Sequence, residues 1–393
     1  MERVKVTLGV VTDMFSEGVN SNKEAEFRIT ELKALLRSTF REFFYYTSLD
    51  DLKEKEELLF GSTNRKSPVI IKFGRNNKIR FKDKKKLVLH KNMFKEAIPS
   101  GTTINIIFQS RYEKYLKTYV YTLKLASIMG ALGKRSRKGM GAFKIIKIDD
   151  NEIIDINKSV EDLLCGYEEQ FKINEKIYLI KTRKLLKEKQ YKDNCTKYKI
   201  ECDANMPKNV NYVKNIYKIY LGNLTEEKSR NKIDCTLRNF SWLNHYRLSD
   251  LNKIFSNETI KKIEKETGKR IDNEISLENL FNKEILGNYN YKYKEKEVTK
   301  KNILTRFACP VYVTIYQKSR GELIENYLII KELNYDYVYK KILDKKVSNK
   351  KVTEQKKEEI RTDIKSELKE MKPIDKYYVE EFVKKIIECC EVK

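Results

Sequence analysis

The chain has 393 residues, with 82 lysines and arginines against 57 aspartates and glutamates, for a net charge of +25 at neutral pH. That length exceeds one ordinary domain and predicts two, each able to bury its own core. So large a cation surplus must be dispersed, screened or matched by a polyanion, and a nucleic acid is the first candidate.

An AT-rich genome alone would also enrich lysine, asparagine, isoleucine and tyrosine, so the placement of the cations matters more than their total. The seven cysteines show no paired CxxC spacing, which fits a reduced, cytoplasmic protein without structural zinc. Cys195, Cys202 and His245 form a conceivable ligand set but lack a fourth member. No apolar run reaches the roughly 18 residues of a membrane span, and no signal-like segment opens the chain. No membrane, metal, cofactor or small-molecule substrate is expected.

In chain order, the β-branched run Val4 to Val11 predicts a first strand. A polar stretch follows, and then a helix over about Thr30 to Tyr46. Leu32, Leu35, Leu36, Phe40 and Phe43 share one arc of that helix, and Lys33, Arg37 and Arg41, spaced four apart, share the next. Asp50 to Leu59 reads as a short charged helix closed by Phe60-Gly61-Ser62, and Val69 to Phe73 as a strand. Gly61 to Lys95 holds twelve cations and one acid, with Ile79, Phe81 and Leu87 to Leu89 predicting a β-hairpin or an irregular insert. A strand over Thr102 to Phe108, a helix over Tyr112 to Ile128 and a strand over Ala142 to Ile148 complete a βαββαβ order. That is the split βαβ, ferredoxin-like arrangement.

Between the second helix and the last strand lies Gly130-Ala-Leu-Gly133-Lys134-Arg135-Ser136-Arg137-Lys138-Gly139-Met-Gly141, with four glycines, four cations and a hydroxyl. Glycines allow positive φ and close backbone approach, while free N–H groups and guanidinium forks suit phosphodiester oxygens. No acid falls between Glu113 and Asp149 to neutralise it locally. The spacing is not that of a Walker loop, and a helix before with a strand after excludes the dinucleotide fingerprint. The loop therefore reads as a phosphate cradle, against the plainer alternative of a solvated basic hairpin.

Beyond Asp149, Lys176 to Thr182, Tyr217 to Leu221, Val311 to Tyr316 and Tyr327 to Lys331 read as strands. Leu248 to Thr267, Ser276 to Glu284 and Tyr335 to Leu343 read as helices. From Thr353 onward the chain is charged and helical, divided by Pro373, with cations and acids nearly balanced. A packing or subunit-contact element is expected there rather than an RNA surface.

Four motifs in order carry a resemblance. Phe27-Arg28-Ile29-Thr30-Glu31-Leu32-Lys33-Ala34-Leu35-Leu36-Arg37 with Arg41, then Leu59-Phe60-Gly61-Ser62, then the glycine loop, then Arg306-Phe-Ala-Cys-Pro310 together resemble the first-subunit family of the type III-B CRISPR Cmr module, within the RAMP proteins. The chain departs from that family at Ala34, where glycine is typical, at Cys309, where serine is usual, and around Thr39 and Phe40, where paired tryptophans are expected. The resemblance implies an α+β protein of two ferredoxin-like, RRM-like RAMP domains, at 1–150 and 151–350, with helical insertions and a helical tail at 351–393. It further implies a non-catalytic subunit at the end of a ribonucleoprotein filament, contacting the 3′ part of a guide crRNA, other Cmr subunits and the complementary target RNA in antiviral defence. Lys33, Arg37, Arg41, Gly130, Gly133, Lys134, Arg135, Ser136, Arg137, Lys138, Gly139 and Gly141 are the expected RNA-binding residues.

The competing class is a RAMP endoribonuclease. RNA cleavage by general acid and base catalysis normally wants a histidine, or a carboxylate or lysine of shifted pKa. The two histidines, His90 in the lysine-rich insert and His245 beside Trp242, read as a surface and a packed residue. Asp13, after the first strand, is the remaining candidate. A third class is an adaptor that binds protein partners and touches RNA incidentally.

Overall fold

A computed structural model of the chain describes residues 1–18, 24–149, 166–200, 216–224, 230–246, 256–272, 311–333, 377–388, 355 and 362, except 76, 90, 174, 193, 194, 269, 321, 322 and 378. The first half runs β1 (Glu2–Val10), β2 (Ala25–Glu26), α1 (Ile29–Phe43), α2 (Leu49–Phe60), β3 (Val69–Phe73), β4 (Arg80–Phe81), β5 (Asp83–Val88), β6 (Met93–Ala97), β7 (Thr103–Ser110), α3 (Glu113–Met129) and β8 (Phe143–Ile148). The second runs β9 (Glu168–Ile173), β10 (Lys176–Lys181), β11 (Leu185–Lys192), β12 (Cys195–Ile200), β13 (Ile216–Leu224), α4 (Arg230–Tyr246), α5 (Asn257–Thr267), β14 (Val311–Arg320) and β15 (Leu323–Leu333). A final helical stretch, α6, spans 379–388. The protein is thus mixed α and β.

The first sheet has the order β3-β7-β1-β8, with every neighbour antiparallel. It follows that β1 and β3 run the same way on either side of β7, and β7 and β8 the same way on either side of β1. Strand β1 alternates as a half-buried strand should: Val4, Val6 and Leu8 are buried, while Arg3 and Lys5 are exposed. Leu32, Leu36, Phe40 and Phe43 of α1 enter the same core. Helix α2 starts on Ser48, whose Oγ accepts the Asp51 N–H at 3.0 Å, and stops at Gly61, where φ is +75°.

The second sheet has the order β11-β12-β13-β15-β14 and is also antiparallel. Here β13 and β14 run the same way on either side of β15, with α4 and α5 between them in the chain. Helix α3 lies between the two sheets, touching β7, β8 and β14. Fourteen of its residues are buried, from Tyr115 to Met129, because a helix covered on both sides cannot keep a polar stripe. Helix α6 buries Val379, Phe382, Val383, Ile386 and Ile387 and is tied down by Thr259 donating to Glu381 at 2.7 Å and Lys218 donating to Glu380 at 3.2 Å. It packs within the second half of the chain.

Besides the two-residue β2, three strands and one helix went unread in the sequence. Strands β9, β11 and β12 are too rich in lysine and glutamate to stand out, and become strands through pairing. Helix α4 did carry a signal: Ile233, Leu237 and Phe240, all buried, recur at the i, i+4, i+7 spacing of one helix face. The expected helix from Leu248 is described only as α5, from Asn257. The expected helices at Ser276 and Tyr335, His90 and Cys202 all lie outside the described residues, as does the motif Arg306 to Pro310. No helix among the described residues is long and apolar enough to cross a membrane.

A buried ion pair joins the two halves: Lys331 of β15 donates to Glu42 of α1 at 2.9 Å, with the two side chains 8% and 7% exposed. Breaking a buried pair from one side strands the other charge and costs about 3–5 kcal/mol. Lys331→Met should lower unfolding free energy by about that range, while the double variant Lys331→Met with Glu42→Leu should return close to wild type. Urea unfolding of the three variants, read as a double-mutant cycle, checks this.

Candidate nucleic-acid interface

The glycine loop is not a solvated hairpin. It runs through the seam between the sheets and is bonded to protein on both sides. Lys134 N–H donates to Phe15 O at 2.8 Å, Lys138 N–H to Arg135 O at 2.8 Å, Gly139 N–H to Val313 O at 2.9 Å and Gly141 N–H to Asp13 O at 3.0 Å. In return Val313 N–H donates to Arg137 O at 3.1 Å, so that Lys138 forms a parallel bridge with Val313 of β14. From the other side Thr12 Oγ1 donates to Gly139 O at 2.8 Å and accepts the Ala142 N–H at 2.9 Å.

This corrects the cradle read from the sequence. At least four of the loop's N–H groups already have carbonyl partners, so they do not form a nest for a phosphate. The glycines serve the same need for close backbone approach, but what approaches is protein. A Cβ on Gly141, where φ is +73°, would lie 1.8 Å from Leu132 O; one on Gly139, where φ is +83°, would lie 2.2 Å from Leu237 Cδ2 of α4. Gly130 caps α3 against Leu35 and accepts from Thr314 Oγ1 at 3.2 Å, and Gly133 sits against the Phe15 backbone.

The cations of the loop divide by their neighbours. The Arg137 guanidinium lies 4.7 Å from the centre of the Tyr312 ring, and Lys138 Nζ 5.5 Å from that of Phe240. Arg135, itself at φ +59°, lines a small cleft with Lys138, Met140, Leu237, Phe240 and residues Leu87 and Leu89 of β5 and its turn. Lys134 pairs with Glu17 at 2.7 Å, and Lys95 of β6 pairs with the other oxygen of the same carboxylate. Burial lowers the Lys95 pKa, and the neighbouring Lys134 lowers it further. The acid that partly neutralises the loop therefore comes from far away in the chain, where sequence inspection had found none nearby.

Helix α1 meets the loop with a different face from the one expected. Leu35, Ser38, Thr39 and Glu42 face Gly130, Ser136, Arg137, Tyr312 and Lys331 across a cavity of about 160 Å³. Lys33, Arg37 and Arg41 lie on the opposite arc, towards α2. Arg41 makes two 2.6 Å hydrogen bonds to Glu56, whose side chain is 4% exposed. Arg37 lies 3.4 Å from the same carboxylate and donates to Phe60 O at 3.0 Å and to Gly61 O. Arg37 and Arg41, expected with the loop among the RNA-binding residues, use their guanidinium groups to clamp α1 to the end of α2. Lys33 is half-buried, and burial followed by the Arg37 charge lowers its pKa.

Asp13 has a structural task as well, its Oδ1 accepting the Ser100 N–H at 3.0 Å. His245 falls within α4, and Cys195 is buried in β12.

The side chains of the loop should thus separate in their effects. Arg137→Ala removes a ring contact in the seam and should lower stability by about 0.5–2 kcal/mol, whereas Lys134→Ala, half exposed, should stay within about 0.5 kcal/mol of wild type. Gly139→Val should destabilise more than either, through its clash with Leu237. Thermal and urea unfolding of the three variants measures the order.

The comparisons with known proteins concern the same region. The RAMP superfamily profile matches residues 7–144. The chain is 27% identical over 153 residues to the CRISPR system Cmr subunit Cmr1-1 of Pyrococcus furiosus, a match covering 35% of this chain and 45% of that protein. The match therefore spans less than half the length of the curated relative. Among solved structures, the apo crystal structure of Cmr1 from Pyrococcus furiosus is similar at a TM-score of 0.42 and 14% identity, over 85% of this chain and 89% of that one. A chain of the cryo-EM structure of the Type III-B Cmr-beta bound to cognate target RNA is similar at a TM-score of 0.46 and 14% identity, over 99% of each. Residues 7–144, which hold the first sheet, its helices and the glycine loop, are thus similar to the RAMP superfamily.

Proposed function

We propose that this protein is an RNA-binding, non-catalytic subunit of a type III-B CRISPR Cmr ribonucleoprotein, acting in the cytoplasm on a guide crRNA and its target RNA together with other Cmr subunits. The observation that carries the reading is the RAMP-superfamily match over residues 7–144, which include the glycine loop, in a chain with net charge +25. Similarity to Cmr1-1 narrows it to the first subunit. Lys134, Arg135, Ser136, Arg137 and Lys138 are the loop residues through which RNA would be held, by side chains rather than by backbone N–H groups.

The reading of two ferredoxin-like domains, at 1–150 and 151–350, is supported by strand order. In the first sheet two split βαβ units interlock. In the second, β13, β15 and β14 repeat the split order around α4 and α5, and β12 lies beside β13 with β11 outside it at the edge. The tail from 351 would close on the second domain through α6.

Asp13, the remaining candidate for a nuclease, has one carboxylate oxygen held by the Ser100 N–H, and activity itself decides between the readings. The full chain should bind single-stranded RNA in a salt-dependent manner and leave guide and target strands intact with or without divalent metal. Gel-based cleavage assays with Asp13→Ala as control decide this: cutting by wild type that the variant loses would install the endoribonuclease reading. Lys134, Arg135, Arg137 and Lys138 replaced together by alanine should weaken binding and flatten the plot of log affinity against log salt by roughly 0.7 for each lost phosphate contact. An unchanged affinity and slope would leave the adaptor reading.

Glu17 competes with RNA for Lys134. Glu17→Gln should raise affinity for single-stranded RNA and steepen the salt slope by up to roughly 0.7. Fluorescence anisotropy at several salt concentrations measures both quantities.

A further inference from the structure

We infer that the outer face of the β5–β6 hairpin is a base-stacking platform for single-stranded RNA, centred on Phe94 and flanked by Lys84 and Lys86; the inference rests on the RNA-binding reading above and adds a second contact surface to it. Strands β5 and β6 pair Lys84 with Glu96, Lys85 with Lys95 and Lys86 with Phe94. Paired residues share a face, so Lys84, Lys86, Phe94 and Glu96 form one side, and Asp83, Lys85, Lys95 and Ala97 the other.

The inner side is anchored. Ala97 is fully buried, Lys95 pairs with Glu17, and Leu87 and Leu89 pack into the cleft beside the glycine loop. The hairpin is therefore held at a set orientation next to the loop's cations.

The outer side is open. Phe94 is 56% exposed and its neighbour Met93 52%, while Lys86 Nζ lies 5.8 Å from the Phe94 ring centre. Neither Lys84 nor Lys86 enters an ion pair among the described residues, and Glu96 is the one acid on that side. A solvated strand does not need an exposed aromatic ring on its outer face. A ring with Lys86 directly across from it and Lys84 on the diagonal has what a sequence-tolerant single-strand site uses: a flat face for one base, and cations for the neighbouring phosphates. Charge decides the occupant, because the twelve cations and one acid of Gly61 to Lys95 would repel most protein surfaces other than strongly acidic ones.

The alternative platform on this half of the molecule lacks a ring. The face of the first sheet opposite its helices carries Arg3, Lys5, Lys72 and Lys144 with Ile70, Ile107 and Ile146, and no aromatic side chain among the described residues. It can attract a strand but has nothing on which to stack a base.

The test uses the full chain and an oligouridine of about 16 nucleotides, within the site sizes that such grooves take, with an RNA duplex of equal length as the comparison. Phe94→Ala should weaken oligouridine binding by roughly 5- to 150-fold, as stacking platforms do, with an unchanged salt slope and an unchanged unfolding midpoint. Phe94→Trp should bind as well as wild type or better, and binding of the duplex should not respond to either variant. Lys84→Ala with Lys86→Ala should instead flatten the salt slope by roughly 1.4. If Phe94→Ala and Phe94→Leu both bind oligouridine like wild type, the platform does not exist although the RNA-binding reading stands. If wild type binds no RNA, both fall. Equal losses for oligouridine and duplex would show a shape or protein-packing role and also overturn the platform.

Discussion

Two reciprocal backbone hydrogen bonds hold the seam of this molecule, Gly139 N–H to Val313 O and Val313 N–H to Arg137 O. They are available only because residue 139 takes a positive φ and has no Cβ to meet Leu237. Around that contact the loop touches β1 through Thr12, the segment after β1 through Phe15 and Asp13, and the second sheet through β14. Moving the loop by even an ångström would break pairing on one side or the other, since close-packed interiors transmit strain rather than absorb it. The two sheets, α3 between them and the cavity beside Arg137 all take their relative positions from this short stretch of backbone.

Placing a cation-rich loop in a seam sets an electrostatic problem, which acids from distant parts of the chain partly solve. Glu17 takes Lys134 and Lys95, and Glu56 takes Arg37 and Arg41. Tyr312 and Phe240 offer ring faces to Arg137 and Lys138, whose charges the ring quadrupoles attract. Lys331 and Glu42 neutralise each other across the cavity. A +25 chain can fold this way because positive charge without an acid partner among the described residues, such as Lys84 and Lys86, faces solvent. A polyanion would meet it there.

Helix α1 illustrates how one periodic element serves two interfaces. Its apolar stripe enters the core, the arc with Ser38, Thr39 and Glu42 borders the cavity, and the arc with Arg37 and Arg41 receives the carbonyls at the end of α2. The Phe60-Gly61-Ser62 turn, legible as a motif, is thereby seen as a hydrogen-bond acceptor for Arg37. Arginine suits that position because its planar fork reaches a carboxylate and two carbonyls at once.

The sequence by itself determined the elements whose signal is local. Short apolar, β-branched runs placed β1, β3, β7 and β8, the 3.6-residue period placed α1 and α3, and the composition of residues 130–141 marked the loop as the unusual stretch of the chain. It could equally have revealed α4, from Ile233, Leu237 and Phe240. Tertiary structure decided everything that depends on which distant group comes near. It made strands of the charged segments β9, β11 and β12, because pairing supplies hydrogen bonds that their side-chain pattern does not announce. It turned Arg37 and Arg41 towards Glu56 and away from the loop, and brought Glu17 to Lys134. It gave the N–H groups of Lys134, Gly141 and Gly139 to Phe15, Asp13 and Val313 in place of a phosphate. The physical reason is the same in each case: hydrogen bonds and ion pairs act over a few ångströms of space, and separation along the chain does not encode that distance.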